Sequence, residues 1–192
     1  MGVGQAKASE SPRRAAALMT LYRGAYDVEV ASTSFGPGLP GLRAYHSSVR
    51  VDDVEYSFSM MGIFMAPFEQ PGAWASHQCY ANKPKITKYG PSAVSGQQLV
   101  RLLQQFFQRD SYDLLRKNCN SFADMALYCL LDLRLNPNVC GLEKIGHAAD
   151  KKSHIIQLAT DGGYRPNPAA DSFSPEKVIH CIDDYKTQRG FR

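Results

Sequence analysis

Alternating apolar and polar positions in the first third of the chain predict β-strands. The alternation covers residues 26–30 and recurs in residues 44–51 and 54–58, on either side of the turn-forming pair Asp52-Asp53. A two-residue period of this kind is typical of strands with one buried face, and a short polar connection joins neighbours in antiparallel fashion. We therefore predict three antiparallel strands.

A three-to-four residue period predicts helices in the second half of the chain. Ser95 and Gln98 form a capping box, followed by a buried face that ends before Asp110-Ser111. That face comprises Leu99, Leu102, Leu103 and Phe106. A short terminal helix is predicted from Ser174-Pro175, which place an N-cap before a proline at the first helical position. Residues 67–91 are expected to be rich in loops.

A further helix is predicted to begin at Asn118, whose side-chain oxygen is suited to an N-cap. Its apolar stripe comprises Phe122, Met125, Ala126, Cys129, Leu130 and Leu133. Cys119 then lies in the first turn, where the helix dipole and the neighbouring Arg116 and Lys117 favour a thiolate. We expect its pKa to fall below the usual value of about 8.5. Cys119 is therefore the candidate nucleophile.

His46 is the candidate partner of Cys119, because an imidazole can accept the thiol proton and return it to a leaving group. A third group would orient the ring, and the sequence does not choose among Asn118, Asn120 and Tyr45. The amide of Cys119 is expected to be one oxyanion donor, since it stands at a helix start.

Composition narrows the class of protein. The chain has 192 residues, of which 44% are hydrophobic, and this predicts one core. We assign residues 1–24 to a flexible extension, 25–140 to the catalytic domain and 141–192 to a C-terminal extension.

The longest apolar stretch, residues 60–68, is too short to span a bilayer. Whether Gly2 carries a lipid stays open, because Ala6 occupies the position where Ser or Thr is preferred.

The cysteines and charges exclude several kinds of site. Five cysteines without a CxxC pair indicate neither a disulfide framework nor structural zinc, so we expect a cytoplasmic or nuclear protein with no metal. The net charge of +4 is mild, and no nucleic-acid partner is indicated. The one basic cluster is expected to lie in a solvated loop: Lys83, Lys85 and Lys88.

Five short motifs occur in a characteristic order along the chain. They are Tyr26-Asp27-Val28, Tyr45-His46-Ser47-Ser48-Val49, Glu55-Tyr56-Ser57-Phe58, Tyr112-Asp113-Leu114-Leu115 and Asn118-Cys119-Asn120-Ser121-Phe122. Together, and with His46 preceding Cys119, they resemble the PPPDE superfamily of permuted-papain-fold peptidases, which includes the DeSI desumoylating isopeptidases.

This resemblance implies an α+β fold of the permuted papain type, with an antiparallel sheet lobe and a helical lobe flanking a cleft. It implies a Cys119-His46 dyad that hydrolyses SUMO or ubiquitin conjugates through an acyl-enzyme, without a cofactor. A homodimer is left open. Two alternatives remain: an S-acyl thioesterase using the same dyad, with Met60, Met61, Ile63, Phe64 and Met65 holding the acyl chain, or a non-catalytic binding module.

Overall fold

A computed structural model of the chain describes residues 26–35, 44–67, 73–139 and 164–190. The predicted N-terminal extension, with Gly2, lies outside the described residues, as does the first part of the predicted C-terminal extension up to residue 163. The boundaries assigned to the three segments stay a prediction.

The described chain contains a five-stranded antiparallel sheet. Its spatial order is β4-β3-β2-β1-β5, so that β2 is central and β4 and β5 form the edges. The first three strands confirm the prediction from alternation. The strands are β1 (Tyr26–Phe35), β2 (Ala44–Val51), β3 (Val54–Ser59), β4 (Gly62–Pro67) and β5 (Lys85–Ser92).

Residues 67–91 were expected to be rich in loops, and the structure shows that the end of this segment forms strand β5. Lys85 and Lys88 stand on this edge strand, which pairs with β1 through its backbone, while Lys83 lies just before it. The outer edge strand buries few side chains, so it carries no apolar alternation that the sequence could display. Exposed lysines on an edge also discourage pairing with other chains.

The two faces of the sheet have different characters. Val28 pairs with Val51 and Val30 with Val49, and these four side chains are buried on the face that packs against the helices. The intervening positions point to the other face, where His46 lies opposite Thr33. The apolar core therefore occupies one face, and a buried polar cluster occupies the other.

Three α-helices complete the core, which makes the described chain an α+β structure. They are α1 (Gly96–Leu103), α2 (Cys119–Leu131) and α3 (Pro175–Arg189). The predicted N-caps Ser95, Asn118 and Ser174 are all confirmed by side-chain hydrogen bonds to helix amides. No helix in the described ranges is long and apolar enough to cross a membrane.

Two helix ends differ from the predictions. Helix α1 stops at Leu103, and a tight turn in which Phe106 N–H donates to Leu103 O rotates Phe107, not Phe106, fully into the core. Helix α2 ends at Leu131 because Asp132 adopts a left-handed conformation with φ of 58°. Leu133, predicted on the apolar stripe, therefore lies beyond the helix and is exposed.

A glycine allows the first helix to approach the sheet closely. A Cβ added to Gly96 would lie 2.1 Å from the hydroxyl oxygen of Tyr56 on β3. Because this is far inside contact distance, any larger residue at Gly96 must displace either the helix or the tyrosine ring. The glycine thus fixes how tightly α1 packs on the sheet.

The C-terminal helix is anchored to α2. Its Val178 and Ile182 are buried in the core, and Lys186 donates to Asp132 Oδ1 over 2.8 Å at the end of α2. Tyr128 on α2 donates its hydroxyl to Asp183 over 2.9 Å. The described part of the C-terminal segment is therefore an integral layer of the fold.

Candidate active site

Cys119 is the first residue of α2, and its position is set by Asn118. The side-chain oxygen of Asn118 accepts hydrogen bonds from the amides of Asn120 (2.9 Å) and Ser121 (3.0 Å). Ser121 returns the contact, since its hydroxyl accepts from the Asn118 amide at 3.3 Å. This reciprocal box fixes the helix start. The thiol is therefore held in the first turn, as predicted.

The turn that precedes Cys119 is closed by Asp113. The backbones of Asp113 and Lys117 exchange two hydrogen bonds of 2.8 and 3.0 Å. The buried Asp113 carboxylate accepts hydrogen bonds from backbone and side-chain donors of Leu115, Arg116, Tyr164 and Asn167. Burial alone would raise the pKa of Asp113, but these donors outweigh burial and lower it. Residues from the C-terminal segment thus stabilise the turn that precedes Cys119.

Lys117, which comes directly before the Asn118-Cys119-Asn120 motif, is buried beside this turn. Its ammonium donates to Ser111 Oγ over 2.8 Å and lies between 5.6 and 5.8 Å from the ring centres of Phe58, Phe107 and Phe173. Burial lowers its pKa. The aromatic rings offset part of the desolvation cost of the charge.

Cys119 is 5% exposed, and its side chain has polar neighbours. Its Sγ lies 3.9 Å from the carbonyl oxygen of Tyr45, the residue immediately before His46. Burial, the charge of Cys119 and a hydrogen bond to its side chain raise the pKa of Tyr112, and a hydrogen bond from the Cys119 backbone opposes this rise. The thiol therefore stands at the beginning of β2 and in contact with a tyrosine hydroxyl.

His46 lies on β2, within the buried polar cluster on the sheet face opposite the apolar core. Its Nε2 is 2.9 Å from Ser76 Oγ, and its ring stacks on Tyr80 with centroids 5.3 Å apart. Burial, followed by the neighbouring His77, lowers the pKa of His46 to about 4, against the opposing influence of Glu55. The ring is therefore neutral at pH 7.

His77 is a structural neighbour of His46, with ring centroids 4.7 Å apart. Its Nδ1 lies 2.6 Å from Thr33 Oγ1 and its Nε2 lies 2.9 Å from Ser48 Oγ. Burial lowers its pKa to about 4. Both nitrogens are thus engaged by hydroxyls of β1 and β2, which ties the loop before β5 to the sheet.

Tyr80 connects the two candidate residues. Its ring stacks on His46, and its pKa is raised to about 12 by burial first and then by charges at Cys119 and Cys79. Tyr80 therefore lies within electrostatic reach of the thiol while it contacts the imidazole. A groove of about 340 Å³ opens beside Tyr80 and is lined by Trp74, His77, Pro84 and their neighbours.

The structure assigns distinct contacts to the three residues proposed to orient His46 or bind an oxyanion. Asn118 caps the helix and donates its Nδ2 to Leu114 O over 2.8 Å. Asn120 donates its Nδ2 to the carbonyl oxygens of Tyr45 (3.0 Å) and Val139 (3.3 Å). Tyr45 contributes its carbonyl oxygen to this region. All three thus help to fix the starts of α2 and β2.

The sequence did not predict a role in the site for four residues that lie near it. Tyr112 and Glu55 stand inside the motifs on which the resemblance rests, and their presence in those motifs was the available signal. Ser76 and Tyr80 lie in an aperiodic segment before β5 and gave no signal. Among the described residues no group of His, Cys, Asp and Glu is arranged to hold a metal.

A comparison with known families identifies the class to which the chain belongs. A family model described as "PPPDE putative peptidase domain" matches residues 17–159. The chain therefore belongs to the PPPDE peptidase family. A search of curated proteins finds no match to the chain.

Proposed function

We propose that the protein is a thiol peptidase in which Cys119 is the nucleophile and His46 the general base and acid. The observation that carries the proposal is the placement of the thiol in the capped first turn of α2, 3.9 Å from the carbonyl oxygen that precedes His46. A buried cysteine with only a packing role would be surrounded by apolar groups. Cys119 instead contacts a tyrosine hydroxyl and a carbonyl oxygen.

In the proposed reaction, Cys119 Sγ attacks the carbonyl carbon of the scissile amide while its proton passes to His46. The tetrahedral intermediate then collapses as the C–N bond breaks, and His46 returns the proton to the departing amine. Water, deprotonated by His46, attacks the thioester, and the thiol leaves with that proton. We place the Cys119 amide and the Tyr112 hydroxyl at the developing oxyanion.

We further propose that the scissile bond joins a SUMO or ubiquitin tail to a lysine, in cytoplasmic or nuclear conjugates. Membership of a peptidase family supports a protein substrate. The groove of about 340 Å³ beside Tyr80 suits an extended segment with small side chains, such as a Gly-Gly terminus. Its aromatic walls, Trp74 and Tyr80, would exclude bulkier residues at the same positions.

The test uses ubiquitin and SUMO probes with a C-terminal electrophile. Cys79 is exposed whereas Cys119 is buried, so general alkylation of Cys79 is avoided by working in a Cys79→Ser background. We expect labelling that maps to Cys119 by mass spectrometry, is absent in Cys119→Ala and is reduced in His46→Ala. His180→Ala, at an exposed histidine of α3, is the matched control. Labelling that survives in Cys119→Ala contradicts the proposal.

A thioesterase is the second candidate function, and exposed apolar side chains favour it. Met60, Met61, Phe64 and Met65 are exposed on the β3–β4 hairpin and β4, where a fatty acyl chain could be bound. Fluorogenic acyl thioesters assayed beside the ubiquitin and SUMO probes separate the two functions. Turnover of the thioester alone, lost in Cys119→Ala, assigns the dyad to deacylation.

A further inference from the structure

Glu55 and Ser76 form a buried pair behind His46. Glu55 on β3 is 1% exposed, and both of its carboxylate oxygens accept from the Ser76 amide, at 3.3 and 3.4 Å. The hydroxyl of Ser76 also donates to Glu55 Oε1. Because this donation uses the single hydroxyl proton of Ser76, that proton is committed to Glu55.

This commitment determines what Ser76 can offer to His46. With its proton directed at Glu55, Ser76 Oγ presents only lone pairs to His46 Nε2, which lies 2.9 Å away. The Nε2 atom must then carry a proton for a hydrogen bond to form. In a neutral ring the remaining nitrogen, Nδ1, is unprotonated and basic.

We propose that Ser76, itself held by Glu55, is the positioning residue that keeps neutral His46 in the Nε2–H tautomer and leaves Nδ1 as the base. The catalytic meaning of this tautomer rests on the proposed function, whereas the tautomer itself does not. The carboxylate also stabilises the imidazolium formed when the thiol proton arrives, because the Nε2–H bond to Ser76 persists in the charged ring.

The neighbouring imidazole of His77 is engaged elsewhere. Its two nitrogens lie within hydrogen-bond distance of the hydroxyls of Thr33 and Ser48. The Tyr80 ring stacks on His46 and hinders rotation of the imidazole. The hydrogen bond to Ser76 is therefore the contact that selects one tautomer.

The first test reads the tautomer directly in the full chain. Nitrogen-15 NMR of labelled histidine at pH 7, with His46 assigned through His46→Asn, is expected to show a protonated Nε2 and an unprotonated Nδ1. Ser76→Ala should give a mixture of tautomers, and Ser76→Thr should restore the wild-type pattern. Ser32→Ala, at a hydroxyl on the opposite sheet face, serves as the control and should leave the pattern unchanged.

Glu55→Gln tests the same hydrogen bonds among Glu55, Ser76 and His46 without removing Ser76. The glutamine amide can donate to Ser76 Oγ, which frees the hydroxyl to donate to His46 and favours the Nδ1–H tautomer. We therefore expect a shift away from Nε2–H even if Ser76→Ala does not fold. A wild-type ring protonated on Nδ1, or a tautomer unchanged in folded Ser76→Ala and in Glu55→Gln, overturns the inference.

Probe labelling of Cys119 links the tautomer to reactivity. We expect the second-order rate constant of labelling to fall at least about tenfold in Ser76→Ala and to recover in Ser76→Thr. If the NMR result holds but Cys119 of the wild type is unreactive, the positioning role stands and the proposed peptidase function fails. If Cys119 reacts but the tautomer of His46 does not change in Ser76→Ala, the proposed peptidase function stands and the positioning role of Ser76 fails.

Discussion

Asn120 donates its side-chain amide to the carbonyl oxygen of Tyr45 over 3.0 Å, and this bond joins the start of α2, which carries Cys119, to the start of β2, which carries His46. The two residues are 75 positions apart in the chain. We predict that Asn120→Ala loosens this junction, because the Tyr45 carbonyl loses the bond from a buried amide side chain. The free energy of unfolding should fall by about 1–3 kcal/mol, measured by urea denaturation.

Labelling of Cys119 should also slow in Asn120→Ala, since the bond positions the thiol relative to His46. Asn138→Ala is a suitable control because Asn138 is exposed in the turn after α2. Equal stability of the Asn120 and Asn138 variants would argue against a structural role for the Asn120–Tyr45 bond.

The hydroxyl of Tyr112 is predicted to assist the reaction of Cys119. Tyr112→Phe removes the hydrogen bond to the thiol and the proposed second oxyanion donor, while retaining the ring that packs 5.5 Å from Phe58. We expect probe labelling or turnover to fall by about tenfold or more with little loss of stability. Tyr89→Phe, on β5, is the matched control, and an equal rate in both variants would exclude Tyr112 from the site.

The two buried histidines predict a dependence of stability on pH. Burial lowers the pKa of both His46 and His77 from 6.5 to about 4, so the unfolded state binds more protons between these values. Stability is therefore full above about pH 6.5 and declines as the pH falls toward 4. Each histidine contributes a slope of about 1.4 kcal/mol per pH unit.

Urea denaturation of His77→Gln between pH 4 and 7 checks this prediction. The variant retains one buried histidine. The part of its stability change per pH unit that comes from buried histidines should therefore be about half that of the wild type. The absolute stability is expected to fall as well, because the bonds to Thr33 and Ser48 are altered. An unchanged slope would show that His77 is not held neutral by burial.

Asp113 is predicted to stabilise the turn that precedes Cys119 through its charge. Its pKa in the folded protein is lowered from 3.8, so its contribution is present above that pH and is lost as the pH falls through the folded value. Asp113→Asn should cost about 1–3 kcal/mol at pH 7, because an amide nitrogen then faces donors such as Asn167 N–H. The difference from wild type should shrink below about pH 3.8, measured by thermal unfolding. A difference that is the same at pH 3 and pH 7 would contradict the assignment.

The sequence by itself determined the features that depend on neighbouring residues. Helix caps at Ser95, Asn118 and Ser174 were predicted because each side chain bonds to amides two or three residues away. The first three strands were predictable because one face of each is mainly apolar and the other mainly polar, so the two kinds of residue alternate along the chain. The motifs around His46 and Cys119 pointed to the PPPDE family, which the match over residues 17–159 confirms.

Only the tertiary structure decided which side chains surround the two candidate residues. Ser76 reaches Glu55 across 21 positions and His46 across 30, and such contacts leave no period or local composition in the sequence. Edge strand β5 escaped prediction because its order comes from backbone pairing with β1, which imposes little pattern on side chains. Local hydrogen bonds and the burial of one face of an element produce patterns in the sequence. Contacts between distant segments produce no such pattern, because they form only when the chain folds.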